Sequence, residues 1–165
     1  MKRCNEWYQL TADQQNTILE HQSSFPIKIG SIAKSFGIVV KRATLKPGIS
    51  GMIKESNGIV EIKISRHDSI ERQRFTLAHE IAHFLLHRDK VGDGIEDSML
   101  FRSSLSNTLE AQANRLAADI AMPFSLINEV KFPEDTRLEI KIEEIARVSE
   151  LSIPAIEVRL SKKGF

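Results

Sequence analysis

His79-Glu80-Ile81-Ala82-His83 brings two imidazoles and a carboxylate into one short run. On a helix, residues four apart stand one turn above each other, so both histidines leave the same face. Two neutral imidazoles at that spacing can grip one Zn²⁺. Glu80 lies about 100° round the helix from His79 and about 60° from His83, given the 3.6-residue turn. It can flank an ion without being forced into its coordination shell, and there take a proton from water activated at the metal. A catalytic zinc site wants three protein ligands and an open position. Glu110, on a second predicted helix, fits the third place. Asn114, one turn on, is spaced to hydrogen-bond a ligand. Taken alone, Glu110 would read as a capping glutamate at the third position of a helix started by Asn107. The His79–His83 pair and Asn114 favour the metal role.

The element that carries the histidines reads as a helix in its own right. Leu77, Ala78, Ile81, Ala82, Leu85 and Leu86 form one apolar stripe at 3–4 spacing. Asp68 with Glu71 makes a capping-box-like start, and Ser69 is an alternative cap. His87 shares the face of His79 and His83. The outer two of these three are about 12 Å apart along the axis, too far to share one tetrahedral ion. His87 is therefore expected to end the helix, where positive charge suits the dipole. Arg66, His67, Arg72 and Arg74 cluster just before the helix. They read as a solvated or ion-paired face, with a grip on an acidic substrate segment as the sharper alternative.

The run Arg74 to His87, followed by Leu109 to Pro123 (LEAQANRLAADIAMP), resembles the ImmA/IrrE family of zinc metallopeptidases. The resemblance extends over about Pro26 to Met122. It implies His79, His83 and Glu110 as metal ligands and Glu80 as the catalytic acid/base. It departs at Ala82, where glycine is commoner, and at Leu116 and Ala121, where bulkier residues are usual. It also implies a substrate class: a helix-turn-helix repressor or cognate regulator, whose cleavage switches on genes.

The bounds of the chain agree with this. Its 165 residues suit one domain with a proper core. Lys+Arg 23 against Asp+Glu 22 leaves a net charge of +1, which gives no global reason to expect nucleic acid or an anionic membrane as partner. Cys4 is the single cysteine and fits a reducing compartment. Met1-Lys2-Arg3 has no apolar run behind it and does not read as a signal peptide. No stretch approaches membrane-spanning length. A cytoplasmic location is the expectation.

The remaining elements follow in order. Thr11 to His21 reads as a polar surface helix capped by Thr11, with Trp7 and Tyr8 anchoring the arm. Tyr8 as an oxyanion donor is the alternative, though nothing places it near the metal. Ile27 to Phe36 reads as a short helix ended by Gly37, and Ile38 to Arg42 as a strand. Ser50 to Lys54 and Ile59 to Ser65 read as a hairpin across Asn57-Gly58. Alternation of Val60, Ile62 and Ile64 with Glu61 and Lys63 buries one face. Arg88 to Leu105 reads as irregular, a flap or a solvated connection, with Met99 to Phe101 as a short strand or a tucked loop. In the tail, Leu138, Ile142, Ile145, Ala146 and Val148 mark one buried helix face. Ile156, Val158 and Leu160 mark another, after a Ser152 cap. This tail looks like a helix-turn-helix, and Arg147, Arg159, Lys162 and Lys163 add some positive charge, but its second helix is mostly apolar, which argues against direct DNA binding.

The reading is a single α+β, zincin-like metallopeptidase domain over residues 1–165. A helical arm (1–24) precedes a zinc-binding core (25–123) with a small, mainly antiparallel sheet packed on the histidine-bearing helix. A C-terminal helical subdomain (124–165) follows. The expected activity is that of an endopeptidase with one Zn²⁺. The alternatives are a non-cleaving, metal-bearing interaction protein or toxin of a toxin–antitoxin pair, and a DNA-binding regulator.

Overall fold

Asn57 and Gly58 both take positive φ, 52° and 76°, and turn the chain back on itself. Two successive left-handed residues match the twist of the strands they join. The hairpin so formed pairs β2 (Ile49–Ser56) antiparallel with β3 (Ile59–Ser65), with Ser56 opposite Ile59. β1 (Val39–Ala43) joins β3 in parallel, and β4 (Ile95–Ser98) pairs antiparallel with the other edge of β2. The order is β1-β3-β2-β4. Two of these three pairings are antiparallel, so the sheet is mixed but mainly antiparallel, as expected. The computed structural model describes residues 3–92, 95–98 and 107–161, the second stretch as backbone only.

β4 corrects the reading of 88–105 as irregular, as does a short helical turn, α4 (Arg88–Val91). Ile95-Glu96-Asp97-Ser98 has a single apolar residue, so no alternation announces a strand. Backbone pairing with β2 makes it one. The strand expected at Met99 to Phe101 lies outside the described residues.

Val60, Ile62 and Ile64 of β3 and Ile53 of β2 are buried. The long helix α3 (Ile70–Leu86) packs on this sheet. It buries Leu77, Ala78, Ile81 and Ala82, the first four residues of the predicted stripe, while Leu85 and Leu86 are half-buried. Its cap is Ser69, whose Oγ accepts the Arg72 N–H; Asp68 instead accepts from the Arg72 side chain. α5 (Asn107–Ala121) lies against α3. Ala78 and Ala82 on α3 and Ala113 and Ala117 on α5 are fully buried. Short side chains let packed helices approach closely.

The arm is less superficial than its polar sequence implies. A 3-10 turn (Asn5–Gln9) and α1 (Ala12–Leu19), with its Thr11–Gln14 capping box, bury Trp7, Leu10 and Ile18. One apolar residue per turn suffices when it meets the core. α2 (Ile29–Ser35) follows, and Gly37 at φ 72° ends it as expected.

At the other end come α6 (Phe124–Ile127), α7 (Leu138–Ser149) and α8 (Ile153–Leu160), the last capped by Ser152. Ile142, Ile145, Ala146 and Ile156 are buried as expected, whereas Leu138 and Val158 are 60% and 41% exposed. Leu138 is the first residue of α7, and Val158 is two residues from Ile156, on the opposite side of its helix. Arg159 is buried; it pairs with Asp119 and donates to the Met122 carbonyl, tying α8 to the end of α5. Among the described residues no helix is long and apolar enough to cross a membrane.

Candidate metal centre

α3 and α5 converge on three ligand-bearing side chains. Nε2 of His79 and Nε2 of His83 are 3.0 Å apart. The Glu110 carboxylate faces both, Oε2 at 3.2 Å from His79 Nε2 and Oε1 at 3.4 Å from His83 Nε2. Two ligands of a tetrahedral zinc, with bonds of about 2.0–2.1 Å, stand about 3.3 Å apart. The three separations fit that geometry, and the donor set of two imidazoles and a carboxylate suits Zn²⁺. These residues are the His/Asp/Glu group able to hold an ion among the described residues.

Helix geometry explains the convergence. His79 and His83 leave α3 one turn apart, and Glu110 enters from the first turn of α5. Asn107 is the first helical residue, so Glu110 is the fourth, one place beyond the capping-box position. Burial lowers the His83 pKa, and its hydrogen bond to Glu110 opposes that only in part. The neutral imidazole that results is the form a metal ion takes.

Each histidine is held from behind. Asn114 Oδ1 lies 2.9 Å from His79 Nδ1, as its spacing predicted. Nδ1 of His83 lies 2.9 Å from Nδ1 of His87, whose Nε2 is 3.1 Å from Gln112 Oε1. His87 does end α3, but it is buried beside His83 rather than presented to water. Gln112 escaped the sequence reading. It follows Glu110 by two residues, and that spacing does not place side chains on one helical face.

Glu80 is wholly buried. It lies against β2, where a Cβ on Gly51 would come within 3.0 Å of its Oε1 and 2.5 Å of Thr76 Cγ2.

Residues 33–161 match the family model Peptidase_M78, the IrrE N-terminal-like domain. The chain belongs to this family. No curated protein matches it. The IrrE-like match contains all five candidate site residues and runs on through α7 and α8, well past the Met122 limit of the sequence resemblance. The family is one of peptidases, and the α+β architecture is consistent with a zincin-like domain.

The other residues singled out in the sequence have plainer roles. Trp7 is packed in the core, with Arg3 over its ring, and Tyr8 is 67% exposed. His67 lies beside Thr44. Arg72 bonds Asp68 and Ser50, and Arg74 pairs with Glu150 and donates to the Ile27 carbonyl, so the ion-paired reading describes both. Arg147 pairs with Glu144, while Lys162 and Lys163 lie outside the described residues. Burial pushes the Cys4 thiol up to about 12, which leaves it a poor nucleophile.

Proposed function

We propose that this IrrE-like domain is a zinc-dependent endopeptidase acting on a helix-turn-helix repressor or cognate regulator protein. The observation that carries the catalytic part is the meeting of His79, His83 and Glu110 at 3.0–3.4 Å with Glu80 one residue from His79. His79, His83 and Glu110 would hold one Zn²⁺. When bound, that ion supplies Lewis acidity toward water and toward the scissile carbonyl.

Glu80 accepts the proton of the attacking water on its carboxylate and delivers it to the departing amine. Its burial supports this role, because a carboxylate shielded from bulk water does not leak its proton to solvent. Asn114 orients His79 by accepting from Nδ1–H. The substrate class rests on the family resemblance. Cytoplasmic location belongs to the same reading, since a repressor is met there.

The test is co-incubation of the protein with the product of a neighbouring repressor gene, with and without a chelator, read by mass spectrometry. Chelator-sensitive cleavage at a defined bond is expected. Glu80→Gln should bind zinc and cleave at least about 100-fold more slowly, the lower end for loss of general acid–base catalysis. A variant that keeps zinc and its full biological effect would instead mean that the protein acts by binding.

A further inference from the structure

The His87 imidazole stands between a histidine of the metal centre and a side-chain amide. Its Nδ1 is 2.9 Å from Nδ1 of His83, and its Nε2 is 3.1 Å from Oε1 of Gln112. His83 is fully buried and His87 is 5% exposed, so bulk water is no ready substitute for either partner. The protons can then be placed by elimination. A His83 that offers Nε2 to an ion carries its proton on Nδ1. That N–H points at Nδ1 of His87, and a hydrogen bond requires this nitrogen to be bare. A neutral His87 must then carry its proton on Nε2. Oε1 of Gln112 is the acceptor that this N–H needs. Every contact in the row Gln112–His87–His83 has one proton and one lone pair. His79 reaches the same state directly, through Asn114.

We propose that His87 and Gln112 are positioning residues, which fix the tautomer and ring orientation of His83 for metal binding. The proposal rests on the reading of His79, His83 and Glu110 as a metal centre. Without the Gln112 acceptor, His87 is free to carry its proton on Nδ1. Two N–H groups would then face each other in a buried space, where an unsatisfied donor is costly. His83 relieves the clash by turning or by moving its proton to Nε2, and either change removes a ligand. Loss of a partner that orients a metal-binding histidine lowers metal affinity by roughly 10–100-fold.

The test starts with the intact chain, labelled with ¹⁵N-histidine, loaded with Zn²⁺ and read by long-range ¹H–¹⁵N correlation. His83 is expected as the Nδ1–H form and His87 as the Nε2–H form. Finding His87 as Nδ1–H overturns the proposal. Zn²⁺ affinity is then measured by chelator competition. Gln112→Leu and His87→Phe should each weaken it by roughly 10-fold or more, while Gln112→Glu, which keeps an acceptor, stays near the parent value. Equal affinity in Gln112→Leu and the parent overturns the proposal but leaves the metal centre standing. A parent chain that takes up no Zn²⁺ overturns the metal centre itself, and this inference with it.

Discussion

Gly51 on β2 lies so close to Glu80 on α3 that a Cβ there would sit 3.0 Å from the Glu80 carboxylate and 2.5 Å from the Thr76 methyl. The missing side chain is what lets the strand and the helix meet at this point. Gly51→Ala should destabilise the fold by about 1–3 kcal/mol, the usual range for overpacking a well-packed interior. It should also displace Glu80 and lower the turnover number more than it raises the Michaelis constant, with zinc content unchanged. Thermal melts, zinc analysis and steady-state kinetics on one preparation check all three. An alanine variant with parental turnover would mean that the contact matters only for packing.

Arg159 is one of four basic residues that the sequence offers to a DNA-binding tail, and the fold uses it differently. It is buried against Asp119, which is itself fully buried and also accepts the Cys4 backbone N–H. Arg159→Ala leaves that carboxylate short of its cation in the interior. Breaking a buried pair from one side costs about 3–5 kcal/mol. Urea unfolding should register a loss of that order. A change below about 0.5 kcal/mol, the range of ordinary surface substitutions, would contradict the assignment.

Glu6 and Arg115 link the N-terminal arm to the helix that carries Glu110 and Asn114. Burial, the largest single influence, would raise the Glu6 carboxyl, but its hydrogen bonds to Arg115, a backbone hydrogen bond and the Arg115 charge together outweigh that and hold it below the ordinary value of 4.5. A depressed carboxyl pKa gives stability that is present above the unfolded value and lost as pH falls through the folded one. The chain should therefore lose stability as pH drops below about 4.5. Glu6→Gln should be less stable at neutral pH and show a flatter acid limb. Parallel acid limbs for parent and variant, measured by chemical unfolding at several pH values, would count against this link.

What the sequence made legible was periodic. The His79–His83 spacing, the Asn114 partner, the Asn57-Gly58 turn and the alternation of Val60, Ile62 and Ile64 each follow from a rule that links neighbours along one element. What it hid depends on contacts between elements. β4 has no apolar alternation and exists through pairing with β2. Ile18 is one apolar residue in a polar helix, yet it is fully buried. Gln112 is off any helical face shared with Glu110, and its role appears only when His87 is placed beside it. Gly51 reads as one more strand residue until α3 lies against it.

Metal binding by the purified chain, followed by elemental analysis and chelator competition, bears most directly on the central claim. One zinc ion per chain is the predicted stoichiometry. Separate His79→Ala, His83→Ala and Glu110→Ala substitutions should each abolish or severely weaken its retention. A chain that stays free of metal at saturating Zn²⁺, or that holds it equally well without the carboxylate at position 110, would contradict the account.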